Sequence, residues 1–339
     1  MKKTVLCIAA AILLGSCRNE PADSPIPVGE PVAKVSAAAD SVFKDIRLMG
    51  TNEIHSLIVL QNGKLIYERY AEAQSPEYLH ILWSASKTFT ATAIGFAVQD
   101  GLLTVDDKVT KFFSEEELPA VHSPELDSMS IKNLLTMSSG LDRDLLSETE
   151  AGVLEHPAKE ALASGFKFFP GSRFNYNSMN SYLLSAIITK VTGITAEEYL
   201  DTKLFTPLGI RRHLWEKTAE GYNMGGWGLH ITTRSFAKMG QFLLQRGMWN
   251  GVQLLQESWF DEALRVHIDS SSWTGTGYRN GYGYQIWQCR IPGVFRIDGA
   301  WAQYCFIMPE KNAVVAMNCH CNKPDTTIES VLSRIYPEL

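Results

Sequence analysis

The sequence predicts an α+β fold in which one antiparallel sheet, flanked by helices, is built from both termini around an inserted, mainly helical domain. Apolar and polar residues alternate, as in strands, at residues 56–70 and again within 282–321. Residues 84–220 instead have a mainly helical pattern, with loops rich in Gly, Pro and Ser. Because strands lie near both ends and helices lie between them, the two groups of strands are expected to meet in a single sheet.

The composition limits the class of protein. Hydrophobic residues make up 45% of the 339-residue chain and charged residues 20%. These fractions allow a buried core and exclude disordered, collagen-like and coiled-coil chains. The formal net charge is −6, whereas a nucleic-acid-binding protein needs a basic face. Nucleic acid is therefore not an expected partner.

The first residues predict a signal peptide at 1–16 and a lipid anchor. Lys2 and Lys3 precede an apolar run of about ten residues, which is too short to span a bilayer because a spanning helix needs roughly 20. The following Leu-Gly-Ser-Cys, ending at Cys17, resembles a bacterial lipobox. That resemblance implies lipidation of Cys17 and an exported lipoprotein of the cell envelope, on the periplasmic face or the cell surface. An ordinary signal peptide with an incidental cysteine remains the alternative.

The predicted mature chain has a tether followed by a two-part domain. Residues 17–37 combine prolines with small polar residues, which favours a flexible, extended tether. The domain covers residues 38–339. Its α/β part is predicted at 38–83 and 225–339, and its mainly helical part at 84–224.

Three local signals define the α/β part. Residues 38–49 predict an amphipathic helix. The strands 56–61 and 64–70, joined by Asn62-Gly63, predict a hairpin. A closing helix is predicted at 326–335, with Asp325 as its N-cap.

The cysteines are expected to be buried free thiols rather than disulfide or metal ligands. All four cysteines of the mature domain lie in apolar, strand-like runs: Cys289, Cys305, Cys319 and Cys321. The Cys-His-Cys sequence at 319–321 is too closely spaced for a usual zinc site and has no second ligand pair. No metal or organic cofactor is expected.

A Ser-x-x-Lys pattern occurs four times, and its context distinguishes one copy. A serine and a lysine three residues apart on a helix share a face, so a neutral lysine amine can take the serine proton. Ser41/Lys44 has charged neighbours, Ser164/Lys167 leads into a loop, and Ser235/Lys238 begins what reads as a surface helix. Ser84/Lys87 instead begins a segment without charge as far as Asp100, which predicts a helix buried on all sides. The alternative is that Ser84 only caps this helix and Lys87 extends to solvent.

Here the sequence resembles the serine β-lactamase and penicillin-binding-protein superfamily, and within it the class C β-lactamase-like serine hydrolases. The segment Trp-Ser-Ala-Ser-Lys-Thr-Phe-Thr at 83–90 resembles the nucleophile motif of that family, and residues 131–140, 207–210 and 225–229 match further segments. The resemblance covers about residues 50–320 and implies a β-lactamase/transpeptidase-like fold with the site between its two parts. It implies that Ser84 is the nucleophile and Lys87 its base.

The second motif of the family is Tyr-x-Asn, and only its tyrosine is present here. By the resemblance, Tyr176 exchanges a proton with Ser84 and Lys87 and protonates the leaving group, and a nearby cation is expected to lower its pKa. Ser178 stands where Asn is commoner, as in the branch that resembles 6-aminohexanoate-dimer hydrolases. A hydroxyl there replaces an amide, which changes substrate binding. A tyrosine buried in the core is the alternative for Tyr176.

The third motif of the family is Lys/His-Thr/Ser-Gly, with which we align residues 297–300. Gly299 allows a substrate to approach the backbone, and the Ala300 N–H is expected to form an oxyanion hole with that of Ser84. Position 297 is Ile, however, and Asp298 replaces the hydroxyl. An acid here is expected to repel a substrate carboxylate and favour a cationic or neutral ligand, unless it is a turn residue facing solvent. Trp301 replaces a small residue and is expected to narrow the cleft.

Together these features predict an exported serine hydrolase that acts through an acyl-enzyme. The expected substrate is a small ester, amide or short peptide; a D-amino-acid peptidase ranks second, and an efficient β-lactamase third because of positions 297 and 298. The rival hypothesis is a penicillin sensor that acylates without release, or a pseudoenzyme. An α/β-hydrolase is disfavoured because Gly-x-Ser-x-Gly is absent.

Overall fold

The described part of the chain, residues 22–45, 50 and 52–339 of a computed structural model, has the predicted α+β architecture. A six-stranded antiparallel sheet runs in the order β2-β1-β11-β10-β9-β8, and a small sheet runs β3-β5-β4. The strands are β1 Glu53–Gln61, β2 Lys64–Tyr70, β3 His80–Ile81, β4 His213–Trp215, β5 Leu229–Ile231, β6 Met248–Trp249, β7 Val252–Gln253, β8 Trp287–Gln288, β9 Phe295–Gly299, β10 Gln303–Met308 and β11 Ala313–His320.

Most of the helices lie between the two groups of large-sheet strands. The helices are α1 Ala33–Phe43, α2 Ser86–Gln99, α3 Pro124–Ser128, α4 Ile131–Leu135, α5 Leu146–Glu150, α6 Pro157–Leu162, α7 Met179–Thr192, α8 Ala196–Leu200, α9 Thr206–Leu208, α10 Thr233–Leu244, α11 Glu257–Ala263 and α12 Pro324–Ser330. Within the described residues, no helix is both long and apolar enough to cross a bilayer.

The sheet joins the two ends of the chain where β1 pairs with β11. β1 is antiparallel to β11, with Leu57 opposite Met317. β1 also forms the predicted hairpin with β2, and its turn at Asn62 and Gly63 has positive φ angles of 53° and 72°, which Asn-Gly supplies readily.

Side chains alternate between the two faces of this sheet, as the period of two requires. Leu57 and Val59 lie in a core that includes α1 and α12. Ile58 and Leu60 lie in a second core with α2, α7 and α10. The catalytic candidates are on the side of the second core, where the helical part meets the sheet.

The predicted flexible tether is wrong for its described part, residues 22–37. The Asp23 carboxylate accepts backbone N–H groups of Arg211 and Arg212 and the hydroxyls of Thr232 and Ser235. Burial acts to raise the pKa of Asp23, but these four hydrogen bonds hold it below its usual value. Farther along, backbone hydrogen bonds join the segment to the edge strand β2, so an extended, proline-rich stretch is ordered by contacts that composition does not reveal.

Both terminal helices differ in their limits from the prediction. α1 begins at Ala33 rather than 38, because Val35, Ala39 and Val42 form a buried apolar face; residues 46–49 lie outside the described part. The closing helix begins at Pro324, and Asp325 does not cap it. The Asp325 carboxylate instead accepts the N–H of Gly277 at 2.8 Å. The predicted signal peptide and Cys17 also lie outside the described residues.

Candidate active site

The proposed nucleophile lies in a 3₁₀ turn at Trp83–Ala85, immediately before α2. The first twelve residues of α2, Ser86 to Ala97, are buried, which confirms the prediction of a helix buried on all sides. Ser84 itself remains partly exposed at the head of this helix. The helix therefore holds the hydroxyl rigidly at the boundary between protein and solvent.

Lys87 does not extend to solvent; its ammonium group is buried beside the Ser84 hydroxyl. Lys87 Nζ lies 3.1 Å from Ser84 Oγ, 3.4 Å from Ser178 Oγ and 2.7 Å from the Gly226 carbonyl oxygen. An ammonium has three N–H donors, so these three acceptors match its protonated form. The neutral amine can instead accept the Ser84 proton across the 3.1 Å contact.

Burial lowers the pKa of Lys87 to about 7, although the charges of Asp144 and Asp298 act to raise it. Desolvation destabilises the ammonium form because the charge has lost its water. The amine is thus substantially deprotonated near neutral pH. A general base with a pKa near the working pH is the most effective.

The glycine-rich segment 225–229 completes the lysine site, a role that sequence reasoning did not assign to it. Thr90 Oγ1 donates to the Gly225 carbonyl oxygen at 2.6 Å, and Ser86 Oγ accepts the Leu229 N–H at 3.2 Å. A Cβ at Gly226 would lie 2.9 Å from the Ser178 carbonyl oxygen, so only glycine fits there without displacement. The sequence signal that could have indicated this role was the matched motif at 225–229, because its Gly226 carbonyl oxygen accepts from Lys87.

Tyr176 contacts the same two groups. The Ser84 side chain acts to lower the pKa of its phenol, and Lys87 Nζ lies 5.1 Å from the centre of its ring. Burial raises the pKa of Tyr176 above its usual value, and Ser84 opposes this only in part. The expectation of a lowered pKa is therefore wrong, because desolvation of the phenolate dominates. A protonated phenol is suited to donate a proton.

Aromatic rings and a loop acid fix Tyr176 and its neighbour Ser178. The Tyr176 ring stacks on Trp287 at 5.8 Å between centres and lies 5.3 Å from Trp273. The Ser178 N–H donates to the Asp144 carboxylate at 3.2 Å. Sequence reasoning missed Trp273, Trp287 and Asp144, since none of them belongs to a motif that it considered.

Gly299, at the end of β9, packs directly against the nucleophile turn. A Cβ at this position would lie 2.1 Å from the Leu82 carbonyl oxygen and 3.0 Å from the Ala85 nitrogen. Glycine is thus the residue that lets the strand approach the turn. This contact places Ala300, the predicted second oxyanion donor, next to the segment that carries Ser84.

Gly299→Ala is expected to lower kcat/KM for a p-nitrophenyl ester by about 100-fold, the cost of losing one oxyanion donor. The added methyl group collides with backbone, so the strand or the turn has to shift. Gly293→Ala is the control for backbone strain without a collision, because the φ of Gly293 is +75° but a Cβ there has no neighbour within 4 Å. Activity of Gly299→Ala within threefold of that of the control would contradict this role for the contact.

Asp298 is neither a solvent-facing turn acid nor an unpaired negative charge. Its carboxylate accepts a hydrogen bond from Arg296 Nε at 2.6 Å, and the side chains are 9% and 0% exposed, respectively. The guanidinium also lies over the rings of Tyr278 and Tyr304, 5.0 and 5.5 Å from their centres. Because Arg296 neutralises the acid, the expected preference for a cationic ligand has no support. No sequence motif indicated Arg296.

The remaining Ser-x-x-Lys pairs are not brought to this site. Ser235 and Lys238 are buried, so the prediction of a surface helix is wrong for this pair. Ser235 Oγ donates to Asp23, and Lys238 Nζ donates to the Gly209 carbonyl oxygen at 2.8 Å. This face of their helix, α10, contacts Asp23 and Gly209, whereas α10 packs on the sheet through Gly240, beside Cys305 and Val314.

The described cysteines and acidic groups do not form a metal centre. The thiols of Cys289, Cys305, Cys319 and Cys321 are free and buried, as predicted. Within the described ranges, no group of three or more His, Cys, Asp or Glu side chains is arranged to hold a metal ion.

Comparison with known proteins places these observations in one family. The family model described as Beta-lactamase matches residues 54–331. The 6-aminohexanoate-dimer hydrolase of Paenarthrobacter ureafaciens is 22% identical over 328 residues, covering 89% of this chain and 81% of that protein.

Two solved structures have the same fold. EstCE1, described as a hydrolase with promiscuous acyltransferase activity, aligns with a TM-score of 0.73 and 16% identity, over 89% of this chain and 98% of its own. A D-stereospecific amidohydrolase from Streptomyces sp. aligns with a TM-score of 0.68 and 19% identity, over 87% and 98% of the two chains.

Proposed function

Because the chain belongs to the Beta-lactamase family, we propose that it is a serine hydrolase that cleaves an ester or amide through an acyl-enzyme on Ser84. One observation carries the proposal. The Ser84 hydroxyl lies 3.1 Å from a buried lysine amine whose pKa is about 7, and the Tyr176 ring lies beside the same amine, 5.1 Å from Lys87 Nζ to its centre. A base and an acid beside one hydroxyl are what acyl transfer requires.

Acylation begins with proton transfer from Ser84 to Lys87. As Ser84 Oγ forms a bond to the carbonyl carbon of the substrate, its proton moves to the neutral Lys87 amine, and the carbonyl oxygen becomes an oxyanion. The backbone N–H groups of Ser84 and Ala300 stabilise that charge. The resulting ammonium is held by the Ser178 hydroxyl and the Gly226 carbonyl oxygen.

The leaving group departs with a proton from Tyr176. Collapse of the tetrahedral intermediate breaks the bond from the carbonyl carbon to the leaving oxygen or nitrogen, and the phenol protonates that atom. The Lys87 ammonium then returns a proton to Tyr176, which restores both groups. Water hydrolyses the acyl-enzyme and releases the acid, so no metal or organic cofactor takes part.

The proposed substrate is a small ester, amide or short peptide. Two of the similar proteins named above are described as hydrolases of amide-type substrates, by the names 6-aminohexanoate-dimer hydrolase and amidohydrolase. Ile297 offers no positive charge to a substrate carboxylate, and Asp298 is occupied by Arg296. These features favour an uncharged acyl group over a penicillin-like acid.

The proposed location is the cell envelope of a bacterium. It rests on the basic residues, apolar run and lipobox-like Leu-Gly-Ser-Cys that end at Cys17. In this proposal acyl chains on Cys17 hold the hydrolase at a membrane surface, where its substrates are small molecules outside the cytoplasm.

Covalent labelling of the purified protein with a fluorophosphonate tests the proposed function. We expect intact-mass spectrometry to show one adduct on the wild type and none on Ser84→Ala, because only an activated serine reacts. Ser235→Ala is the matched control, since it removes the serine of the other buried Ser-x-x-Lys pair, and it should be labelled like the wild type.

Two results would contradict the proposal in different ways. A label that persists on Ser84→Ala would move the nucleophile elsewhere. A stable adduct on Ser84 formed by an ester substrate itself, without turnover, would support a sensor that acylates and does not release.

A further inference from the structure

A cleft of about 610 Å³ begins at Trp83, the residue before the proposed nucleophile. It is called the aromatic cleft here and is lined by His55, Tyr78, His80, Trp83, Trp301 and His320, among others. Trp83 immediately precedes Ser84, and Trp301 immediately follows Ala300. The cleft is therefore bounded by the direct neighbours of the nucleophile and of the proposed oxyanion donor.

Both tryptophans are held in an unusual backbone conformation. Trp83 has φ of +49° and Trp301 has φ of +61°, values that are rare for bulky residues. Trp301 and Ala302, both with positive φ, form the turn between β9 and β10, and Trp83 lies in the turn that carries the proposed nucleophile. Trp301 also leaves 40% of its surface exposed, although apolar side chains of this size are normally covered.

The walls of the aromatic cleft are formed mainly by aromatic and imidazole rings. The Trp301 ring stacks on His320 at 4.4 Å, and His80 lies 5.6 Å from His55 and 5.1 Å from Tyr78, measured between ring centres. Burial lowers the pKa of His80 to about 4, so this ring is neutral at pH 7. Burial also lowers the pKa of His55, although Glu53 acts to raise it, and His230 lies 2.8 Å from the Glu216 carboxylate. The residues lining the cleft, all of them described, include no Asp, Glu, Lys or Arg.

The position of Tyr176 identifies which half of the substrate faces this cleft. Tyr176 gives its proton to the leaving group in the proposed mechanism, so the leaving group lies on the Tyr176 side of the carbonyl. The aromatic neighbours of Tyr176, which include Trp273 and Trp287, do not line the aromatic cleft. The acyl group then extends the other way, past Trp83 and Trp301.

We propose that the aromatic cleft is the acyl subsite and selects an uncharged, planar acyl group, such as an arylacetyl group. This inference rests on the proposed function, because it assigns the substrate class of the same Ser84 site. Trp83 and Trp301 pack against the ring of the acyl group, and the imidazoles behind them form the end of the cleft.

The first test measures binding without catalysis. Isothermal titration calorimetry of Ser84→Ala with phenylacetamide, an uncharged compound with this acyl group, should show saturable binding, and acetamide should not bind. Adding Trp301→Ala or Tyr78→Ala should weaken the binding roughly fivefold, as expected for loss of an aromatic contact. Phe169→Ala is the control because Phe169 is as exposed as Tyr78, at 53%, and does not line the cleft. Absence of saturable binding, or equal weakening by Phe169→Ala, would overturn the proposal.

The second test compares two esters with one leaving group. For p-nitrophenyl phenylacetate relative to p-nitrophenyl acetate, Trp301→Ala should lower the ratio of kcat/KM values about fivefold. If both kcat/KM values fell alike, their ratio would stay unchanged, as expected for damage to the oxyanion hole. That result would overturn the proposed acyl subsite. Failure of the Ser84 labelling experiment would instead overturn the proposed hydrolase, while the calorimetry still tests the cleft.

Discussion

Replacement of Lys87 by methionine is expected to lower kcat/KM for an ester substrate by roughly 1,000-fold or more, without unfolding the protein. Methionine matches the length and burial of the side chain but cannot take the Ser84 proton, and general-base catalysis contributes about 10² to 10⁴ in rate. In the proposed mechanism the Lys87 ammonium also returns the proton to Tyr176, so both halves of acylation would lose their proton transfer.

The pH dependence of the wild type provides an independent measure of Lys87. Its pKa of about 7 means that the active, neutral amine accumulates as the pH rises. We therefore expect kcat/KM to rise with pH through about 7 and to level off above it, because this profile reports the free enzyme. In Lys87→Met this limb should disappear from the residual activity.

Lys238→Met is the matched control for this substitution. Lys238 is also buried in a Ser-x-x-Lys pair, and burial lowers its pKa to about 8, but its amine contacts the Gly209 carbonyl oxygen away from Ser84. A folded Lys238→Met protein should keep the activity and pH profile of the wild type. Equal losses of activity in the two variants would show that removing any buried lysine amine has this effect, and that Lys87 does not act specifically on Ser84.

Among the proposed substitutions, removal of the Arg296 charge is expected to lower the free energy of unfolding the most. Arg296→Met leaves the buried Asp298 carboxylate without its partner, and breaking a buried ion pair in this way costs about 3–5 kcal/mol. We expect calorimetry to show a fall in the unfolding midpoint of roughly 5–10 °C. The double variant Arg296→Met/Asp298→Leu should recover most of this loss, because no buried charge is then left unpaired.

An exposed arginine–carboxylate pair provides the reference for this loss of stability. Arg290 and Glu329 are joined by two hydrogen bonds of 2.9 Å, but each side chain is about half exposed. Arg290→Met should cost less than about 1 kcal/mol, since solvent screens surface pairs. If Arg296→Met were no more costly than Arg290→Met, Arg296 would not be a structural counter-ion for Asp298.

Local patterns predicted the parts of this protein that depend on nearby residues. Alternation around Asn62-Gly63 located the hairpin, and the absence of charge between Lys87 and Asp100 located the buried helix α2. Ser84, Lys87 and Tyr176 were found through motifs, and the structure brings their side chains together.

The features that sequence reasoning missed depend on burial or on contacts between distant segments of the chain. Arg296 is only two residues from Asp298, but their charges pair because β9 is buried on both sides, which a single strand does not reveal. The docking of Asp23 on residues 211–235 joins segments about 200 residues apart. The predicted direction of the Tyr176 pKa shift was wrong because a sequence motif identifies the neighbouring groups but does not show that burial removes the phenol from water.

The pairing of β1 with β11 also sets an order of events during synthesis. About 250 residues separate the two strands, and ribosomes add roughly 5–20 residues per second. The β1–β2 hairpin therefore emerges more than ten seconds before its central partner exists, and until then one edge of β1 can pair with another chain. Until its last strand has been made, a nascent chain therefore carries an unpaired strand edge of the kind that favours aggregation.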